Sequence, residues 1–355
     1  MRSAKVASRS SVFVMRVAVD AMGGDLGPGV VVRGVLRALK EVYSISKVYL
    51  VGDQKVLEKE LVSNQCFDPR LEIKHASQVL TMEDKPVEAL RRKKDSSIAR
   101  AVELVKKGEA QVLISPGNTG GVVSSAHIAL RPLKGIERPA IAAVIPAQNN
   151  SFVLLDAGGF VDSRPYQLLQ YGIMGSVYSR EVLGYAKPRV GLLSIGTEDL
   201  KGNELTRSAF NLFSKIDEAQ IINFIGNIEG HDLFDNSVDV VVCDGFIGNI
   251  VLKTCESFGK HLLNWIEHEI SRSPTRIIGA MLAQGAFKSI KGRLDPENTG
   301  GAPLLGLNGV VMKAHGSATD KAIFNAIRLG ANAAYQNVNQ IIIDEVADAD
   351  KVLQV

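Results

Sequence analysis

Short apolar runs alternate along the chain with segments whose apolar residues recur at helical spacing. Arg16–Asp20 reads as a strand. Pro28–Glu41 reads as a helix, with Pro28 early and Val32, Val35, Leu36 and Leu39 on one face. Lys47–Gly52 is expected as a strand and Gln54–Val62 as a helix. Ser97–Lys107 sets Ile98, Ala101, Val102 and Val105 at helical spacing, and Gln111–Ser115 is a short apolar strand. The loop Pro116–Gly121 and a helix to Leu130 follow. Further strands are expected at Ala140–Ile145, Phe152–Asp156, Val190–Ile195, Ile221–Ile225 and Val238–Cys243, and a short one after Gly309. Helices are expected at Pro165–Leu183, Glu204–Phe213, Ile250–Ile270 and Ser317–Gln336.

This alternation predicts an α/β fold with a mainly parallel sheet covered by helices on both faces. Ligands of such folds sit in loops beyond the carboxyl ends of strands. No internal repeat or low-complexity linker divides the chain. Residues 15–338 are therefore expected to form two subdomains around one cleft. Residues 1–14, basic and without an acid, are expected to be a disordered extension. The acidic stretch 339–355 is expected to be a tail that packs late or frays.

Composition narrows the function. Apolar residues make up 46% and charged residues 22%, the balance of a folded globular protein. A net charge of +3 gives no reason to expect nucleic acid. Arg91–Lys94 and the cluster Lys288, Lys291, Arg293 are the local basic patches, and a solvated face explains either. Three cysteines without a CxxC pair fit a reducing, cytoplasmic compartment. No apolar stretch is long enough to span a bilayer, so any membrane contact is expected to be peripheral.

The candidate chemistry lies in glycine-rich strand ends. Asp20, Gly23, Gly24 and Asp25 close the first strand, where two acids beside paired glycines could bind a cation, orient a substrate group or simply form a tight turn with Asp25 as N-cap of the Pro28 helix. Gly117, Asn118, Thr119 and Gly120 join a strand to a helix. Backbone N–H groups at a helix start suit phosphate, although an ordinary capped start reads the same way. Upstream, Arg92, Lys93 and Ser97 could add cations and a hydroxyl. Glu198 and Asn203, then Asn227, then Asp244 with Asn249 and Lys253, mark three further strand ends of the same character. His315 and Ser317 follow a last short strand. Absence of GxGxxG and GxxxxGK[ST] removes the usual support for nucleotide cofactors, and no ligand spacing points to a metal. No cofactor is expected.

Together these segments resemble the PlsX family, the phosphate acyltransferases of bacterial phospholipid synthesis. The matching text is VAVDAMGGD, KPVEALRRKKDSS, GNTGG, IGTEDLKGNE, NFIGNIEG, VVVCDGFIGN, GGAPLLGLNGVV and AHGSA, in order from Val17 to about Ala334. The resemblance implies a fold like the isocitrate and isopropylmalate dehydrogenases. It implies transfer of a long-chain acyl group from acyl carrier protein to inorganic phosphate. It further implies a homodimer held peripherally at the inner face of the cell membrane, feeding a membrane glycerol-3-phosphate acyltransferase.

Motif and chemistry combined place phosphate against Gly117–Gly120 with Arg92, Lys93 or Ser97, and put His315 and Asn249 near the thioester. Lys253, Lys260 and Arg276 are docking candidates for the acidic carrier. Residues 271–290 read as an amphipathic segment for a dimer interface, a core or an anionic membrane. A phosphotransacetylase acting on short acyl-CoA shares the same motif chemistry. A non-catalytic membrane scaffold for lipid-synthesis enzymes is the alternative of another class.

Overall fold

Strand–helix alternation builds two sheets in the computed structural model, which describes residues 14–354. Except for Val14, the expected extension 1–14 lies outside the described residues. The strands are β1 (Met15–Asp20), β2 (Ile45–Gly52), β3 (Leu71–His75), β4 (Val112–Ser115), β5 (Ala140–Ile141), β6 (Ala143–Pro146), β7 (Ser151–Leu155), β8 (Arg189–Leu193), β9 (Asn223–Ile228), β10 (Val240–Val242), β11 (Ala302–Leu305) and β12 (Val310–Lys313). The helices are α1 (Pro28–Glu41), α2 (Gln54–Ser63), α3 (Pro86–Arg92), α4 (Ser97–Lys106), α5 (Thr119–Leu130), α6 (Pro165–Glu181), α7 (Glu204–Glu218), α8 (Gly245–Ser271), α9 (Pro274–Leu282), α10 (Gln284–Leu294), α11 (Asp320–Tyr335) and α12 (Val338–Leu353).

The first sheet runs β3-β2-β1-β4-β12-β11-β5 and the second β6-β7-β10-β8-β9. Five strands of the first, β3 through β12, are mutually parallel, and β11 lies antiparallel to both its neighbours. In the second only β6 is antiparallel. The single strand expected over Ala140–Ile145 divides at Ala142, with β5 in one sheet and β6 in the other. A continuous apolar run is buried on both sides of that crossing, so its pattern carries no mark of the change of sheet.

Side-chain alternation sorts the core. Val17, Val19, Val112, Ile114 and Met312 pack with residues of α1 and α11. Ala18, Leu113 and Val311 pack with α4 and α5, in a cluster that continues to Phe152, Leu154 and Val241 of the second sheet. The other face of that sheet packs on α6, α7 and α12. Helix α5 thus lies in the core shared by both sheets.

Two expectations change. The acidic tail is helix α12, with Val338, Ile342, Val346 and Ala349 buried at helical spacing. Its acids belong to the outer face of an amphipathic helix, which a count of charges does not distinguish from a fraying end. The helix expected from Ile250 starts at Gly245, capped by Asp244 Oδ1 accepting from Ile247 N–H at 2.9 Å. Asn249 and Lys253 therefore ride on a helix. The amphipathic segment forms α9 and α10.

Candidate active site

Three adjacent strands of the first sheet carry a polar row at their carboxyl ends. Lys313 of β12 is in register with Ser115 of β4, and Val19 of β1 with Ile114, so Asp20 comes level with Ser115. Pleating turns all three toward the α4–α5 face, since Ala18, Leu113 and Val311, two residues earlier on each strand, point there. Ser115 Oγ donates to Asp20 Oδ2 at 2.7 Å and accepts from Gly117 N–H at 3.1 Å. Ser97, at the start of α4, also hydrogen-bonds the Asp20 carboxylate, as does Met22 N–H. Burial still pushes the Asp20 carboxyl above its usual range, against these bonds.

Close backbone approach assembles the loops over this row. A Cβ on Gly23 would stand 2.6 Å from Asp20 Oδ2 and 2.7 Å from Gly117 Cα, so only glycine fits. Asp25 N–H donates to Gly316 O at 2.7 Å, joining the first loop to the one after β12. Asp25 itself is exposed and does not cap α1; Gly27 holds that position, because the turn needs the positive φ that glycine adopts freely. Asn118 caps α5, its Oδ1 accepting from Gly121 N–H at 3.0 Å while its Nδ2 donates to Met82 O at 2.9 Å. The N–H groups of Thr119 and Gly120 belong to the first turn, where no helical carbonyl precedes them. These amides, the helix dipole and the exposed Thr119 hydroxyl make the start of α5 a candidate anion cradle.

The expected phosphate cations divide. Lys93 Nζ pairs with Asp84 and donates to Val79 O, which engages it in holding the loop before α3. Ser97 is buried and turned to Asp20 rather than to the cleft. Arg92 is exposed at the end of α3, and α3 packs beside α5. The cation that sequence reasoning passed over is Lys313, which lies buried in the row itself. Its only signal in the sequence is one lysine closing the apolar run Val310–Met312.

His315 stands exposed in the loop after β12, because α11 begins only at Asp320. Its Nδ1 accepts from Ser317 N–H at 3.3 Å and lies 2.8 Å from Ser317 Oγ. With Nδ1 accepting, the ring proton sits on Nε2 and is available to a substrate oxygen or sulfur.

The second sheet offers its own strand ends. Asp156 follows β7, fully buried, its carboxylate accepting from the N–H groups of Ile141, Gly158, Gly159 and Phe160. Burial nevertheless raises its pKa. This carboxylate fixes the loop on which Asn249 packs, since a Cβ on Gly158 would lie 3.1 Å from Asn249 Cβ. The loop's Phe160 meets His127 of α5 edge to face, 5.7 Å between centroids. Lys253, one turn beyond Asn249, is exposed, pairs with Glu256 at 2.7 Å, and is near enough to act on the charge of Lys313. Asp244 is the α8 cap. Asn203 caps α7, its Oδ1 accepting from Thr206 N–H at 2.9 Å, and Asn227 Nδ2 donates to Glu198 O at 2.9 Å. Asn227 of β9 is thus tied to the loop after β8 that carries Glu198, and Asn203 closes that loop as the α7 cap. A cavity of about 490 Å³ lies apart from all these loops, lined by Arg180, Lys187, Asp217 and Asn223 among others. Among the described residues no group of three or more His, Cys, Asp or Glu side chains is placed to hold a metal ion.

Comparison with known proteins bears on this site. A family model described as "Fatty acid synthesis protein" matches residues 15–341. The phosphate acyltransferase of Pelotomaculum thermopropionicum is 45% identical over 341 residues, 96% of either chain. That of Geotalea daltonii is 43% identical, covering 94% of this chain and 95% of its own. The chain belongs to the PlsX family of phosphate acyltransferases. It is an acyltransferase. Among solved structures, a phosphotransacetylase from Streptococcus pyogenes superposes with a TM-score of 0.62 at 17% identity, covering 90% of this chain and 94% of its own. EutD phosphotransacetylase from Staphylococcus aureus gives 0.59 at 14%, with the same coverage. At such identities the match concerns the fold alone.

Proposed function

We propose that this acyltransferase moves a long-chain fatty acyl group from acyl carrier protein to inorganic phosphate, yielding the acyl phosphate used in phospholipid synthesis. The observation that carries the reading is the meeting of the α5 cradle, the Asp20–Ser115 pair and the His315 loop at the carboxyl ends of β1, β4 and β12. Phosphate is an anion at neutral pH and needs no strong base. A phosphate oxygen bonds the thioester carbonyl carbon, and the C–S bond then breaks as the carrier thiolate leaves and takes up the proton that the hydrogen phosphate gives up. The protein holds the two reactants together and stabilises the oxyanion between these steps. The amides of Thr119 and Gly120, with Arg92, face the phosphate; His315 Nε2–H donates to the oxyanion or the leaving thiolate; Asn249 flanks the thioester.

Partners follow from the surface. Lys253, Lys260 and Arg276 are exposed on α8 and α9, where an acidic carrier would dock by charge. Phe258, Trp265, Ile278, Met281 and Leu282 are exposed large apolar residues of α8 and α9, which supports a homodimer seam and a peripheral membrane contact at the cell's inner face. No helix among the described residues is long and apolar enough to cross a membrane. There the acyl phosphate would pass to a membrane glycerol-3-phosphate acyltransferase.

The test is purified protein with long-chain acyl carrier protein and labelled phosphate, read as labelled acyl phosphate. Phosphate-dependent release from acetyl-CoA but not from the carrier would replace this reading with a short-chain phosphotransacetylase.

A further inference from the structure

The α5 cradle supplies dipoles, and Arg92 is an exposed guanidinium at the end of a short helix. Neither is a fixed buried charge. Lys313 is one. It ends β12 in register with Ser115, on the pleat face that Asp20 shares, and only 9% of the residue is exposed. Its ammonium donates to the carbonyl of the next residue, Ala314. An ammonium carries three donors, and burying one without an anion is costly. Asp20 and Asp25 both favour its charge from a distance, while Lys253 opposes it from α8. The Asp20 carboxylate is already occupied by Ser97, Ser115 and Met22 N–H, and among the described residues no acid forms an ion pair with Lys313.

We propose that Lys313 is a phosphate-binding residue of this site, its ammonium supplying the buried positive charge that holds the acceptor phosphate beside the α5 cradle. The assignment rests on the reading of the site as a phosphate acyltransferase centre. It gives the site the cation that Lys93, engaged with Asp84, does not provide. Burial depresses the Lys313 ammonium to about 8, and a bound phosphate, adding negative charge beside it, would push it back up. Phosphate binding at about pH 8 should therefore draw a proton from solution.

The experiment measures steady-state kinetics with phosphate varied at saturating long-chain acyl carrier protein, in the wild type, Lys313→Met and Lys313→Arg. Lys313→Met should raise the KM for phosphate at least about tenfold while leaving the KM for the acyl carrier protein within about twofold. Lys313→Arg, which keeps a cation and so folds under the same charge constraint, should recover part of the phosphate affinity. Calorimetric titration with inorganic phosphate in two buffers of different ionisation enthalpy should show proton uptake in the wild type and none in Lys313→Met. An active wild type whose phosphate KM and proton uptake survive Lys313→Met overturns the assignment. A wild type inert toward phosphate and acyl carrier protein instead overturns the reading beneath it.

Discussion

Ser115 and Asp20 meet at 2.7 Å through a hydroxyl that also receives the Gly117 N–H, so one buried carboxylate holds the loop that opens α5. Holding that charge out of water costs stability. Its pKa is raised in the folded state, so the native chain binds the proton more tightly than the unfolded one. Stability contributed at this position is present at low pH and falls as pH rises from the ordinary carboxyl range through the raised native value. Asp20→Asn removes the charge and keeps the shape. Its melting temperature relative to wild type should improve between about pH 5 and about pH 8, while turnover drops at least about tenfold. Thermal denaturation at the two pH values checks this. A melting difference that does not change with pH rules out the buried-charge account.

The His315–Ser317 contact sets a tautomer rather than a charge. With Nδ1 accepting from Ser317 N–H, the imidazole carries its proton on Nε2. His315→Ala should lower kcat about a hundredfold, the effect of one lost oxyanion donor. Ser317→Ala leaves the backbone N–H in place and should cost less than about tenfold. Undiminished kcat in His315→Ala would remove the histidine from the mechanism.

Much of this framework is legible in the sequence because buried strands and amphipathic helices are strongly patterned. Helix Pro28–Glu41 is bounded by its proline and its apolar stripe, and the structure keeps both limits. Strand β3 is not legible. Glu72 and Lys74 interrupt its apolar residues and are satisfied by ion pairs, Glu72 with Lys47 on the neighbouring strand and with Lys74. The α5 cradle shows in the order strand, glycine loop, helix. Lys313 does not, because its meaning comes from Ser115 and Asp20 on two other strands. Nor can a run such as Arg91–Lys94 reveal which cation Asp84 engages.

Two glycines of α8 separate packing from helix propensity. A Cβ on Gly248 would lie 1.9 Å from Asp156 O, where the helix start abuts the loop after β7. A Cβ on Gly259 meets nothing within 4 Å. Gly248→Ala should destabilise the protein by roughly 3 kcal/mol or more and displace Asn249. Gly259→Ala should stabilise it by about 0.5–1 kcal/mol. Urea denaturation of both variants tests the pair. Equal effects would mean that the α8 start does not press on Asp156.

The outer face of α9 gives the last prediction. Met281 is 69% exposed, and Ile278 and Leu282 beside it are also exposed. Lys288, Lys291 and Arg293 follow on α10, all exposed. An apolar ridge followed by cations suits the interface of an anionic bilayer, where apolar burial and charge attraction add. A carboxylate at Met281 would oppose both while facing solvent in the isolated chain. Met281→Glu should keep the wild-type melting temperature and reduce flotation with vesicles rich in anionic lipid by at least about tenfold. Size-exclusion chromatography in parallel distinguishes the two uses of this face. If the variant floats as well as wild type but elutes at half its mass, Met281 belongs to a seam between two copies and the membrane contact lies elsewhere.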